Sequence, residues 1–532
     1  MQATGREAPT GRQPGRPLAQ DAMTQLTLQV AGLGQQLAMR NSVLFRLSAY
    51  GPATTLDRLS AHAALRAAAH ACGRVPAYRS HLQRAGWCDD STLPAAQRVK
   101  RLPEMDKTSY INAYPTEARC LDGRLPGRRI SIDESAGSTG TPYNWVRGAA
   151  ETRELHHGIS RFLRYLVGED VFTINGFSMG AWATGVSVGE ALRRNGIVKS
   201  TGPDVAKIVS TLRFFGPSYH YIITGYPPFL KHLIDESEKG GFDWSRYRAH
   251  AIVGGEGMSE SLRAYLERRF QGVYSGYGAS DLAPGMAIEL PLSVWIRKRA
   301  AANRALHRAL FGDDPRLPML FQYNPLDYYI ETNAAGELVV TINRLSILSP
   351  RIRYNVHDAG GIIPFDRMLG LLRDCGFDPL AELPPGHRPF RLPFLYLFGR
   401  SDNTVSHMGA NIYPEDVEQA LYAAPEDAHR LGAFCLELVD IGDGEQRVCV
   451  HVEAADGAAR DADLAERLRR QVFARLMAVN RDFKTSVDED PSAAELLVRL
   501  HEPGAGPFAA NRTRIKRRYV VSTPTSGATG AP

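Results

Sequence analysis

Apolar residues across 56–73 (LDRLSAHAALRAAAHACG) recur at three- and four-residue spacing, which predicts an amphipathic helix ending before Val75 and Pro76. After the strand-like run RISID, the stretch ETRELHHGISRFLRYLVG returns to helical spacing and leads into a second strand-like run, VFTING. The alternation then repeats: YHYIITG before PPFLKHLIDESEK, AHAIVGGEG before SESLRAYLERRF, and GVYSGYG as the next strand. Strands alternating with helices of this length predict an open α/β sheet with helices on both faces. Ligands of such sheets gather at the carboxyl ends of the strands.

A different pattern begins near residue 326. DYYIETNAAGELVVTINR reads as a β-hairpin turning at residues 333–336, and PRIRYNVHDAGG follows it. Beyond GRSDN the chain reads as a compact α+β unit: a helix from PEDVEQAL, strands GAFCLELVDIG and QRVCVHVEA around an Asp443-Gly444 turn, and a helix from DLAERLRRQVFARLM. The expected fold class is therefore α/β: a large N-terminal domain with parallel-rich sheets and a β-rich subdomain at 23–401, and a small, mobile C-terminal α+β domain at 402–522. Residues 1–22 and 523–532, rich in Gly, Pro and Thr, read as disordered tails, and no internal repeat is visible.

Composition narrows the class of partner. With 532 residues, 44% of them apolar, the chain can bury more than one core. The excess of 63 Lys+Arg over 57 Asp+Glu is small and, apart from a cluster near the C-terminus, spread over the chain, so nucleic acid is not an expected partner. Six cysteines without a CxxC pair suggest neither a disulfide framework nor a zinc site and fit a reducing cytoplasm. The longest uncharged run, 171–189, is broken by Gly, Ser, Thr and Asn and is a poor bilayer span. A soluble protein with no membrane partner is expected, while the sequence leaves the oligomeric state open.

Candidate chemistry starts at SAGSTGTP, residues 135–142. Glycines expose backbone N–H groups there and hydroxyls surround them, a donor surface suited to phosphate, although the Walker spacing and its lysine are missing. In chain order this loop is followed by GGEGMSE (254–260), GYGASD (276–281), RYNVHDAG (353–360) and GRSDNTVSHMGANIYPEDVE (399–418). This series resembles the adenylate-forming superfamily of acyl-CoA synthetases, adenylation domains and luciferases. RVPAYRSHLQRAG, LPEMDKTSYINAYP and GYGASDLAPGMAIE are similar to its phenylacetate-CoA ligase branch.

The resemblance implies a role for each residue. Ser135, Gly137, Ser138, Thr139, Gly140 and Thr141 would wrap the β- and γ-phosphates of ATP. Gly254, Gly255 and Glu256 would wall the adenine side, with Tyr277 and Gly278 beside the base. Ser280 would lie near the α-phosphate and Asp281 would take Mg²⁺, a hard cation that wants oxygen ligands. Asp358 would accept hydrogen bonds from the ribose hydroxyls, and Arg400 would donate to the same sugar. Asp402 falls at the hinge about which the small domain would turn. Lys516 in PFAANRTRIKRRYVV, with Lys484 as runner-up, would stabilise charge building between carboxylate and phosphate. Phe177, Met179, Trp182 and Tyr226 are candidate linings of the acid pocket. The implied reaction joins a small carboxylic acid, aryl or arylacetic in type, to AMP and passes the acyl group to coenzyme A. An amine acceptor, as in the aminocoumarin antibiotic ligases, or a carrier protein is the alternative.

Two positions depart from the family pattern: Thr141 stands where the branch usually has lysine, and Asp281 replaces glutamate. The basic helical stretch 292–318 has no obvious counterpart and reads as a structural insertion or an acceptor-side surface. Rival classes remain. GFSMG at 176–180 satisfies the GxSxG elbow of α/β-hydrolases, with Ser178 as nucleophile, although the sequence after it is poor elbow-helix sequence. A non-catalytic binding protein on a ligase scaffold is the other rival. The histidines show no HxxxH or HExxH spacing, so zinc is not expected.

Overall fold

The computed structural model describes residues 49–135, 143–179, 183–255, 257–314, 316–383, 388–400, 405–407, 410–442, 445–455, 458–480, 495–511 and 520–521, with scattered residues within 26–43 and 483–487. The chain forms two compact units that do not follow sequence order: residues 1–133, 144–154 and 324–356 make one, and 134–143, 155–323 and 357–532 the other. Residues 402–522, expected as a separate small domain, fall in the second unit. Among the described residues no helix is long and apolar enough to cross a membrane.

The first unit carries helix α1 (Ala53–Arg74) and the hairpin β10 (Tyr328–Thr332) and β11 (Glu337–Ile342). The helix ends, as its pattern predicts, at Val75. The hairpin turn closes where expected, Asn333 and Gly336 holding it through Asn333 N–H to Glu337 O at 3.0 Å and Gly336 N–H to Asn333 O at 3.1 Å. Strand β1 (Ile130–Ser135), the RISID run, pairs with β2 (Tyr143–Gly148), and β2 leads into α2 (Ala149–Val167).

The core of the second unit is a parallel sheet in the order β7 (Val273–Ala279), β6 (Arg248–Gly254), β5 (His220–Gly225), β3 (Val171–Asn175) and β4 (Gly196–Ser200). Strands buried on both faces need unbroken apolar runs, and VFTIN is buried along its whole length. Leu163 and Val167 of α2 pack there with Val171, Leu192, Ile222 and Ile252. Beyond β7 the sheet turns antiparallel through β8 (Ala283–Ile288), β9 (Met319–Tyr323), β13 (Phe394–Arg400) and β12 (Tyr354–Ile363). Helices α4 (Val205–Phe215), α5 (Pro227–Lys239) and α6 (Glu260–Glu267) lie between the parallel strands in sequence.

One expectation fails for a clear reason. The glycine-rich sequence after GFSMG forms helix α3 (Ala183–Leu192). Close packing rather than propensity selects it: a Cβ at Gly185 would lie 2.0 Å from Ser178 O, and one at Gly189 2.9 Å from Asn175 Nδ2.

The basic stretch forms α7 (Pro291–Ala302) and α8 (Arg304–Phe311). Arg297 points inward: it donates to Pro318 O at 2.7 Å and Met258 O at 2.8 Å and also pairs with Glu260. Of the two readings of this segment, the structural one accounts for its buried arginine.

At the C-terminal end, helices α9 (Pro414–Leu421) and α10 (Ala462–Val479) accompany a sheet ordered β18 (Leu497–His501), β17 (Glu445–Ala454), β16 (Leu431–Gly442), β19 (Val520–Val521). The short strands β14 (Val405–His407) and β15 (Ala410–Ile412) pair with each other.

Candidate active site at the carboxyl ends of the parallel strands

Strands β3, β5 and β6 end in glycine or run into it, at Gly176, Gly225, Gly254 and Gly255, and the side chains between these glycines form one wall. Asn175 organises the first turn: its Oδ1 accepts from Phe177 N–H at 3.3 Å and Thr224 Oγ1 at 2.9 Å, and its Nδ2 donates to Gly185 O at 2.7 Å. That turn delivers Phe177, whose ring meets Tyr226 edge-on at 5.4 Å. Tyr226 in turn covers Gly255, where φ is +87° and a Cβ would lie 2.8 Å from the ring. A Cβ at Gly254 would sit 3.1 Å from Gly276 O and 3.8 Å from Phe177 Cζ. Any side chain at either glycine would therefore push into the wall. Met179, 38% exposed, lies past the turn, and Trp182 and Glu256 lie outside the described residues.

The adjoining strand brings polar groups to the same end of the sheet. Tyr277 is buried and its ring lies against Phe321 at 5.7 Å, inclined by 27°. Its hydroxyl donates to Asp358 Oδ2 at 2.7 Å, and burial together with that carboxylate raises the phenol well above its ordinary pKa. Asp358 stands directly opposite Arg400 in the antiparallel pair β12/β13, next to a register break at residues 359–360. The residue before it, His357, has φ +60°, a costly conformation for a side chain other than glycine. The two residues expected to share a ribose are thus register partners 42 positions apart in sequence.

Ser280 and Asp281, both half-buried, occupy the turn from β7 to β8, which Leu282 N–H closes on Ala279 O at 2.9 Å. Gly278 has a structural explanation: a Cβ there would lie 2.4 Å from Gly285 N and 2.6 Å from Ala283 O on β8. Ser135 ends β1 in its backbone, while Gly137, Ser138, Thr139, Gly140 and Thr141 lie outside the described residues, as do Asp402 and Lys516. The runner-up Lys484 is exposed.

Sequence reasoning passed over the residues that fix the 254–260 loop. Glu418 of α9 accepts Ser259 N–H at 2.9 Å, Ser259 Oγ caps α6 by accepting Leu262 N–H at 3.2 Å, and Arg297 holds Met258 O. Glu418 and Ser259 lie within quoted motifs, at the end of the last one and in GGEGMSE, and Arg297 within the basic stretch 292–318, but nothing in those patterns signals that they meet.

Ser178 does not meet the requirements of a hydrolase nucleophile. It is buried, among the described residues its Oγ has no hydrogen-bond partner, and it is not one of the described residues with positive φ, whereas an activated serine needs a base within reach on a sharp turn.

No family model matches the chain. Among characterised proteins it is similar to the phenylacetate-coenzyme A ligase of Pseudomonas putida, with 23% identity over 358 residues covering 66% of this chain and 72% of the relative. The ligase of the same name from Thermus thermophilus is 24% identical over 391 residues, 70% of this chain and 77% of that one. Among solved structures, 2-hydroxyisobutyryl-CoA ligase in the postadenylation state with 2-HIB-AMP superimposes with a TM-score of 0.65 at 17% identity, covering 89% of this chain and 91% of that one. The chain is thus related in sequence to the phenylacetate-coenzyme A ligases and has the fold of the adenylate-forming acyl-CoA ligases.

Proposed function

We propose that the protein is an ATP-dependent ligase that activates a small carboxylic acid as its acyl adenylate, releases diphosphate and passes the acyl group to coenzyme A. The observation that carries this reading is the Tyr277–Asp358 hydrogen bond with Arg400 in register opposite Asp358, at the strand ends where Phe177 and Tyr226 pack on Gly254 and Gly255. A carboxylate can accept several hydrogen bonds at once, which suits a ribose diol, and Tyr277 orients it. The acid's carboxylate attacks the α-phosphorus in line. The C–O oxygen forms the new P–O bond as the bond to diphosphate breaks, and no enzyme nucleophile is required. Positioning and charge stabilisation then supply the rate, with Lys516 as the cation that meets the developing charge.

Asp281, half-buried in the turn from β7 to β8, is the carboxylate read as holding a magnesium ion carried on the nucleotide phosphates, which needs only one or two such ligands from the protein. Bound there, it would neutralise charge on the phosphate oxygens. Residues 402–522 are read as the part that turns about Asp402 between adenylation and acyl transfer. Phe177 and Tyr226, which pack together on the glycines, with Met179 past the turn, are read as the side that takes an aryl or arylacetic acid. All six cysteines are free, in keeping with the cytoplasmic location assigned here.

The test is a panel of organic acids with ATP and magnesium, scored by diphosphate release and by mass spectrometry of products formed with coenzyme A or mixed amines. An acyl-CoA product is expected. An amide as sole product would move the acceptor to an amine, and absence of ATP consumption with every acid would overturn the reading.

A further inference from the structure

Strand β4 is the last strand of its sheet, and among the described residues no strand pairs with its outer side. Its bonds to β3 fix which backbone groups are left over. Val171 N–H donates to Asn195 O at 3.3 Å, and Thr201 N–H donates to Asn175 O at 3.0 Å. Between those two bonds, the alternation of a parallel ladder turns Ile197 and Lys199 toward β3 and leaves the N–H and C=O of Gly196, Val198 and Ser200 pointing away from it. Val198 is half-buried and the other residues of the strand are exposed. An edge of this kind is a template for a further strand.

The side chains beside the edge are apolar. Ile197 is the register partner of Phe172, so the two share a face of the sheet. On that face the Phe172 ring meets Phe215 at 4.7 Å and Tyr219 at 5.5 Å, and Phe214 lies 5.0 Å from Phe215. Phe172 is buried, whereas its neighbours are not: Phe214 is 83% exposed, Ile197 50%, Phe215 39% and Tyr219 37%. Together the four expose roughly 400 Å² in one patch, a size that marks an interaction surface rather than scattered apolar residues.

An open strand edge calls for a strand, and β4 is complementary to a second copy of itself. Antiparallel pairing about a two-fold axis at Val198 sets Val198 against Val198 and Gly196 against Ser200, so each outward N–H meets a C=O of the copy. In that register Lys199 falls opposite Ile197 of the copy, where its stem covers the apolar side chain and its ammonium reaches water. Arg194 falls opposite Gly202, and no like charges are opposed. Centring the axis on Lys199 would set the two lysines against each other, which disfavours that register. The axis stands normal to the sheet, so both apolar patches lie on the same face and meet across it. They supply about half of the roughly 800 Å² that each partner of a standard interface buries, and the strand edge with its polar flanks supplies the rest.

We propose that this edge is the interface of a homodimer, in which β4 pairs antiparallel with β4 of a second copy and the patches of Ile197, Phe214, Phe215 and Tyr219 close over the join. Sedimentation velocity of the full chain over a range of concentrations tests it, and the wild type is expected to sediment as a dimer. Ile197→Lys places a lysine opposite Lys199 twice in each dimer. It is expected to raise the dissociation constant about a hundredfold, with the far-ultraviolet circular dichroism of the fold unchanged. Hydrogen-bonded antiparallel partners have Cα atoms about 5.5 Å apart, within reach of a disulfide. Val198→Cys is therefore expected to link two copies through position 198 under mild oxidation, and peptide mass spectrometry distinguishes that bond from one at the exposed Cys88. A monomeric wild type, which would leave the edge to a strand of another protein, overturns the proposal. So does a dimer that Ile197→Lys leaves intact, or a Val198→Cys dimer not joined at that position.

Discussion

At their amino ends, β3, β5, β6 and β7 begin among aromatic and histidine side chains packed on one another, whereas at their carboxyl ends β3, β5 and β6 finish in glycine. Phe172 and Tyr221 lie 5.4 Å apart, His220 Nε2 meets His250 Nδ1 at 2.8 Å, and His250 stacks on Tyr274 at 6.5 Å. A cavity of about 640 Å³ also opens at the amino side, beneath Trp244 and Phe270, but its walls are aromatic rings and ion-paired surface groups such as Glu238 and Arg269. At the other end, glycine backbone packed under Phe177 and Tyr226, a tethered tyrosine and the Asp358–Arg400 register pair stand instead. The contrast teaches that cavity volume alone is a poor guide to a candidate site. At the amino ends side chains satisfy one another, whereas at the carboxyl ends close-packed glycines stand beside an oriented carboxylate.

If that division of labour holds, substitutions at the two ends must fail in different ways. The largest effect is expected from Arg263→Met near the start of β7. Arg263 is fully buried and donates to Val273 O at 2.5 Å and Glu289 at 2.6 Å, so its loss strands a fully buried carboxylate. A loss of about 3–5 kcal/mol is expected in urea unfolding; a loss below about 1 kcal/mol would break the assignment of this end to stability.

Asp358→Ala, at the opposite end, should lower acid-dependent diphosphate release roughly a hundredfold. Its unfolding midpoint should move little, and a variant that unfolds before it loses activity would erase the comparison. Tyr277→Phe removes only the hydroxyl that orients Asp358. A few-fold rise in KM for ATP and a loss of about 1 kcal/mol of stability are expected, read from initial rates and thermal unfolding.

The smallest effect concerns His250, whose pKa burial lowers to about 4. A histidine held below its unfolded value of 6.5 favours the folded state above that value, and this contribution drains away as pH falls from 6.5 toward 4. Stability of the wild type should therefore decline over that window, and His250→Phe should decline less. Equal acid sensitivity in the two proteins would show that the His220–His250 contact does not govern the amino end.

Much of this architecture is written in short-range pattern. The VFTING, YHYIITG, AHAIVGGEG and GVYSGYG runs became β3, β5, β6 and β7, and the hairpin turned at Asn333 and Gly336, because apolar periodicity and turn chemistry are local. Helix α3 was hidden because Gly185 and Gly189 are chosen for contact with Ser178 and Asn175, which no local propensity records. Asp358 and Arg400 were singled out through their motifs, yet that they stand opposite one another depends on register between distant strands. Gly278, expected beside the base, is also required by the approach of β8, which the local sequence does not record. Glu418 and Arg297 were invisible for the same reason: each acts by bonding a backbone group of the 254–260 loop from far along the chain.

The central claim is that the carboxyl end of the parallel sheet holds a nucleotide while an organic acid displaces diphosphate from it. Isotope exchange between diphosphate and ATP, dependent on an organic acid and magnesium, tests this most directly in the wild type and in Asp358→Ala. The account predicts exchange in the first and its near-complete loss in the second. Exchange that survives undiminished in Asp358→Ala, or that never appears in the wild type with any acid, would contradict it.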